Sequence, residues 1–186
     1  GMRSQDILDV KAYLFSTAPV QQENRPHDLR FPFSWRFSIY PWRWLFFSRP
    51  EEIAEAPLAT PEQRGRYLVD VLGHCAECHT PRNIAGGLKR GKALAGTRYG
   101  PGGSVPNITP DTETGIGTWS TSDLVFFFQT GFKPDGDDVQ GEMRDVIEDG
   151  LRHLSKEDLL AIAAYLKVVP PIQHAVRPAK RYGASS

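Results

Sequence analysis

Cys75-Ala76-Glu77-Cys78-His79 holds both cysteines of the 186-residue chain and one of its five histidines. Two thiols two residues apart, followed directly by an imidazole, have the spacing that attaches a c-type haem. One helical turn offers both sulfurs to the vinyl groups of a single porphyrin, and His79 then turns its imidazole to the iron. Competing uses fit less well. Structural zinc takes four Cys or His ligands, usually as two spaced pairs, and the chain has no second pair. A thioredoxin-like C-x-x-C needs a βαβ surround, which the helix-and-loop flanks do not provide. A structural disulfide leaves His79 unexplained.

An iron held by His79 calls for a ligand on its other face. In electron-transfer haem proteins this is commonly methionine, whose soft thioether favours the ferrous state. The chain has two methionines. Met2 reads as a translational start, which leaves Met143, set in the polar, loop-like run Asp137-Asp138-Val139-Gln140-Gly141-Glu142-Met143-Arg144. A lone methionine often fills a core, but this one has no evident packing reason in such a run. Met143 is therefore favoured over His153, His74 or His27, any of which would give a bis-His site.

The elements that must position these residues can be read in outline. Thr60-Pro61-Glu62-Gln63 opens a helix, with Thr60 as cap, Pro61 at the first position and Gln63 completing a capping box. It runs through Tyr67, Leu68 and Val71 toward the cysteines. Gly65 within it is costly unless another backbone or ring comes close. Residues 80–117 contain nine glycines and four prolines and read as a long irregular loop, which compact domains keep for function. A calcium loop at Asp111–Gly115 lacks the necessary ligand spacing, so a solvated turn is expected there. Ser120 and Asp123 open a second helix that turns Leu124, Phe127 and Phe128 inward and closes at Gly131. Ser155 and Asp158 open another, through Leu159, Ile162, Ala163 and Leu166, which Pro170 and Pro171 end.

Upstream, the chain repeats itself at an offset of 152 residues. Asp6-Ile7-Leu8-Asp9-Val10-Lys11-Ala12-Tyr13-Leu14 lies over Asp158–Leu166, and Pro19-Val20-Gln21 over Pro171-Ile172-Gln173. The N-terminus thus reads as the closing helix of a preceding domain of the same kind. Residues 21–30 read as linker. Between Phe31 and Phe47, nine aromatic residues interleave with Arg36 and Arg43, just after Arg30. Such a segment suits a docking or membrane-interface surface, but it is expected instead to strap across the haem domain and bury its rings, since exposed aromatic area promotes aggregation. Residues 49–59 form an acidic, proline-bounded connector.

Lys plus Arg and Asp plus Glu number 22 each, so nothing global argues for nucleic acid or an anionic membrane. No apolar run is long enough to span a bilayer. Peripheral association with a membrane is compatible with the sequence. The basic residues Arg82, Lys89, Arg90 and Lys92 fit a docking rim and ordinary solvated loop charge equally well.

From Thr60 to Ile172 the order of helix, C-x-x-C-H, Gly/Pro loop, Trp-led helix, Met143 and closing helix resembles a class I cytochrome c domain. Asn107-Ile108-Thr109-Pro110-Asp111, followed by Thr114-Gly115-Ile116-Gly117 and Trp119, resembles the cytochrome c subunits of bacterial membrane-bound alcohol and gluconate dehydrogenases. The linker Asn24–Leu29 and the aromatic segment resemble an inter-domain connection of that group. The fold implied is mainly α: helices and loops around one covalent haem c, with an N-terminal helical and aromatic extension. The expected divisions are an extension at 1–59, a cytochrome c domain at 60–172 and a loosely held basic tail at 173–186. The resemblance implies Cys75 and Cys78 as thioether anchors, with His79 and Met143 as iron ligands. It further implies the Pro106 carbonyl as acceptor for the imidazole, Ile108 beside the cofactor, Trp119 on a haem propionate, and Gly65 against Tyr165 where first and last helices cross.

The activity implied is that of an electron carrier between a dehydrogenase and a respiratory acceptor, expected in a bacterial periplasm. No signal peptide is recognisable: Met2-Arg3 leads into an acidic amphipathic segment rather than an apolar one. Since haem attachment in this group is extracytoplasmic, the natural chain is expected to start further upstream or this sequence to be a fragment. Two alternatives stay open: a peroxidase-like haem enzyme with a displaceable distal ligand and His153 or His74 as acid-base group, and a non-redox subunit spacer.

Overall fold

The computed structural model describes residues 1–47, 58–100 and 102–176. Most of the expected acidic connector, and the tail from residue 177, lie outside the described residues. The chain divides into two compact units, residues 1–56 and 57–186.

In the first unit, α1 (Ser4–Ser16) is followed by an extended stretch, a short 3-10 turn at Arg36–Ser38 and α2 (Ile39–Phe46). No residue of α1 or α2 is buried. Some rings of residues 31–47 pair, Trp35 with Phe37, Phe37 with Tyr40, and Trp42 with Phe46 at 5.6 Å between centroids, yet Phe31, Trp35 and Trp44 are all exposed. Within the first unit itself, these rings find no buried core.

The second unit is built on the crossing of α3 (Pro61–Arg66) with α7 (Lys156–Val168). Gly65 makes that crossing close. A Cβ there would lie 1.9 Å from the Ala161 carbonyl oxygen and 2.7 Å from the Tyr165 Cβ. Beyond Arg66 the helix continues as a π-wound turn, Tyr67–Leu72, in which Tyr67, Leu68 and Val69 are all buried. By sequence this helix runs through Tyr67, Leu68 and Val71. The wider turn sends three consecutive side chains inward and leaves Val71 half-buried.

Capping follows the sequence with two informative differences. The Thr60 hydroxyl accepts from the Gln63 backbone N–H, but the Gln63 side chain reaches Ala59 N rather than Thr60 N. Ser155 accepts from Asp158 N, while the Asp158 carboxylate, expected to close the box, takes Arg64 instead, with Nε 2.8 Å and Nη2 3.0 Å away. The helix crossing brings that guanidinium to the start of α7, and a bidentate charged partner outcompetes a single backbone N–H. Because Arg64 is partly exposed, Arg64→Ala is expected to cost only about 1 kcal/mol in urea denaturation. The full box forms at α5 (Thr121–Thr130), between Ser120 and Asp123, and Gly131 ends that helix in the left-handed region. Leu124, Val125 and Phe128 of α5 pack with Leu159, Ile162 and Leu166 of α7 in one core.

Two stretches read as loop contain regular structure. Within 80–117 a small antiparallel hairpin pairs β1 (Thr97–Gly100) with β2 (Gly103–Val105). Residues 142–149 form α6 (Glu142–Asp149). The mainly-α expectation holds: the chain is helix-rich with one two-stranded sheet among the described residues, consistent with a cytochrome c fold. No helix among the described residues is long and apolar enough to cross a membrane.

Candidate functional site

Leu72 ends the π-wound turn, and His74, in the left-handed region at φ 48°, redirects the chain into α4 (Cys75–His79). This five-residue helix is the whole C-x-x-C-H motif. Both cysteines are free thiols; Cys75 is half-buried and Cys78 exposed. Burial pushes the Cys75 thiol up to about 11, so it stays protonated near neutral pH.

His79 is buried, with 7 % of its surface exposed. Its Nδ1 lies 2.9 Å from the Pro106 carbonyl oxygen. A carbonyl only accepts, so Nδ1 carries the proton and the Nε2 lone pair is left for another partner. Burial holds the imidazole below its ordinary pKa, outweighing the opposite pull of the Pro106 bond. His79 is thus a neutral, oriented base, the form a metal needs. Its backbone is fixed too: the His79 carbonyl accepts from Gly96 N at 2.7 Å.

The loop that supplies Pro106 is tied down beyond it. Asn107 and Thr109 are buried polar residues at 3 % and 1 % exposure. Asn107 Oδ1 accepts from Thr109 N and Oγ1 at 2.9 and 2.8 Å, and Asn107 Nδ2 donates to Thr114 Oγ1 and to the Ile172 carbonyl at 3.0 and 2.7 Å. Ile108 is half-buried against the core, its N–H bonded to Leu94 O at 2.9 Å. The Asp111 carboxylate accepts from Thr114 N and Oγ1, both at 2.7 Å, and so caps a turn. Those bonds hold its carboxyl below the usual range. A depressed folded pKa means stability present above about pH 4 and lost as pH falls further. The stability gap between the native chain and Asp111→Asn, by urea denaturation, is therefore expected to shrink from pH 7 to pH 3.

Trp119 sits half-buried before α5, its ring edge-on to Phe127 at 5.4 Å. Its carbonyl and that of Gly117 accept from Lys167 Nζ at 2.5 and 3.2 Å, which anchors this corner to α7. Met143 is half-buried in the first turn of α6. That corrects the loop-like setting read from sequence: Gly141, at φ +65°, turns the chain, and Ile147, one turn on, is buried, so a polar stretch becomes a one-sided helix.

Of the alternative histidines, His153 Nε2 bonds the Glu148 carbonyl at 2.9 Å, and His74 is exposed directly before Cys75. His27 is exposed in the first unit. Arg82 pairs with Glu77, while Lys89, Arg90 and Lys92 are exposed.

Sequence reading missed His174. Its Nδ1 meets the Ala95 carbonyl at 2.9 Å and its N–H donates to Thr114 Oγ1 at 2.9 Å. Gln173 pairs with Glu113. The tail expected to be loose from 173 is pinned through these residues. No local signal could have found them, since their partners lie 60 to 79 residues away.

Among the described residues, no three His, Cys, Asp or Glu side chains converge to hold a metal ion on their own. Two free thiols and a neutral, carbonyl-anchored imidazole on one helical turn instead fit a porphyrin-held iron: thiols for thioethers, Nε2 for the metal.

No protein-family model matches the chain. It is 45% identical over 170 residues, 91% of its length, to a diheme cytochrome c-type protein of Cereibacter sphaeroides, of which it spans 55%. It is 39% identical over 177 residues, 88% of its length, to the gluconate 2-dehydrogenase cytochrome c subunit of Pantoea cypripedii, spanning 39% of that protein. To the cytochrome c subunit of the quinone alcohol dehydrogenase of Gluconacetobacter polyoxogenes it is 35% identical over 179 residues, 92% of its length, again spanning only 38%. Over a stretch that is about half or less of each relative, the chain is a homologue of diheme cytochrome c and of the cytochrome c subunits of alcohol, gluconate and fructose dehydrogenases.

Proposed function

We propose that the second unit is an electron-transfer domain with one covalent haem c, anchored by Cys75 and Cys78 and ligated by His79 and Met143. When bound, the haem supplies a one-electron Fe(II)/Fe(III) couple. The observation that carries the reading is the 2.9 Å bond from His79 Nδ1 to Pro106 O beside two free thiols. It fixes the imidazole tautomer and raises the basicity of Nε2. Ile108 and Trp119 complete the surround. Ile108 would present an apolar flank to the haem, and Trp119 would offer its indole N–H to a propionate.

The partners we infer are a dehydrogenase subunit as donor and a respiratory acceptor, in the periplasm; relatives bearing dehydrogenase-subunit names support this. The oxidation of the organic substrate belongs to the donor, and this chain passes on the electrons one at a time. Residues 1–59 belong, on the same reading, to the end of a preceding haem domain and its connection. Supporting this, the 152-residue offset carries the bounds of α1 (Ser4–Ser16) onto those of α7 (Lys156–Val168).

The test is intact mass and absorption after expression with an extracytoplasmic haem-attachment system. One haem above the 20.8 kDa of the bare chain, with a low-spin ferric spectrum showing a thioether charge-transfer band, is the expected result. A bare-chain mass overturns the haem reading. A high-spin spectrum overturns Met143 as ligand and favours an open, peroxidase-like iron.

A further inference from the structure

The stretch after α7 does more than end a helix. It runs back over the loop that holds His79 and bonds it through Ile172, Gln173 and His174. Ile172 O accepts from Asn107 Nδ2 at 2.7 Å, and Ile172 N donates to Thr109 Oγ1 at 3.1 Å. His174 N donates to Thr114 Oγ1 and its Nδ1 donates to Ala95 O, both at 2.9 Å. These anchors adjoin the two places where His79 is held. Asn107 follows Pro106, which takes the imidazole, and Ala95 precedes Gly96, whose N–H takes the His79 carbonyl at 2.7 Å. The two sides are packed backbone on backbone. Gly96 sits at φ +79°, and a Cβ on it would lie 2.6 Å from both Asn107 N and Pro106 C. A shift of either anchor therefore moves the other, and with it the carbonyl that orients the ring.

We propose that Ile172 and His174 form a clamp that positions the imidazole of His79, with Asn107 and Ala95 as the points where it grips. The role as a device for iron ligation rests on the reading of His79 as proximal ligand; the clamp itself does not. Asn107 and Thr109 are too buried for water to replace a lost partner, so opening the clamp leaves polar groups unsatisfied inside the loop. The loop then relaxes at its nearest free dihedrals, which flank Pro106.

The test reads the His79 Nδ1–H directly, by exchange in ¹⁵N–¹H spectra of the full chain. In the haem-loaded protein it is read in the diamagnetic ferrous state. Asn107→Ala is expected to speed exchange of that proton at least tenfold, and His174→Ala at least threefold. Tyr165→Phe, which removes a 2.8 Å bond to Asp70 between α7 and the Tyr67–Leu72 turn and touches none of the four clamp bonds, is expected to lower thermal stability and leave the His79 proton unchanged. If Asn107→Ala does not fold, Thr114→Val removes the His174 and Asn107 acceptor with little change of shape, and the same tenfold criterion applies. The clamp is overturned if the Ile172 and His174 amides open in these variants while the His79 proton stays protected. It is equally overturned if Tyr165→Phe releases that proton as much as Asn107→Ala does. Haem attachment is read separately by mass, and the His79 proton can be followed with or without haem, so the two readings fail independently.

Discussion

Gly65→Ala is expected to destabilise the second unit by about 2–4 kcal/mol, and Gly65→Val to prevent its folding. The added methyl would meet the Ala161 carbonyl carbon at 2.6 Å as well as its oxygen. Those are backbone atoms of α7, so no side-chain rotation relieves the clash, and the helices must separate. Separation uncovers Leu68, Val69, Ile162 and Ala163, all buried in the shared core. Alanine's better helix propensity returns about 1 kcal/mol, far short of that loss. Set against a typical domain stability of roughly 5–15 kcal/mol, the alanine variant should still fold with a lowered urea midpoint. Valine should yield a chain without a cooperative transition. An unchanged midpoint for Gly65→Ala would mean that the crossing is looser than the structure has it.

Met143→Ala should change the proposed iron site more than any other single truncation away from α4. With Met143 as distal ligand, its loss leaves the iron five-coordinate or water-bound and removes the thioether that favours the ferrous state. The potential should fall on the order of 0.1 V or more, part of the roughly 0.8 V that axial ligands command, and the ferrous protein should gain carbon monoxide binding. Stability should change far less than for Gly65, because Met143 is only half-buried and Ile147 supplies the buried contact of α6. A variant that keeps its potential and excludes carbon monoxide would leave Met143 as packing, and the other ligand would have to be sought among the histidines.

Much of the second unit was legible because its signals are local. Thr60-Pro61, Ser120 with Asp123, and Ser155 each mark a helix start within four residues, and the apolar period of Leu159, Ile162 and Leu166 marks the buried face of α7. C-x-x-C-H announces its chemistry by spacing alone. The rest was hidden for physical reasons. Helix α6 has Gly141 in place of a capping side chain and acidic residues at its C-terminal end, where the helix dipole disfavours them. It forms because Ile147 finds a buried site, which depends on other elements. The hairpin at 97–105 lies in a glycine-rich stretch with no alternation to read. His174 and Ile172 act through bonds spanning 60 residues or more. Asp158 was assigned to its own helix and serves a neighbouring one.

The wide turn at Tyr67–Leu72 has an evolutionary corollary. Such a turn stores one residue more than regular winding needs, so it acts as slack between the Gly65 contact and the cysteine-bearing turn. A deletion of one residue there can be taken up by rewinding, leaving both ends facing as before. The same deletion in α7, which has no such reserve, would rotate everything after it by about 100° and turn its apolar stripe away from the core. Length variation among natural relatives should therefore collect in the helix before the cysteines and be absent from the one that closes the domain.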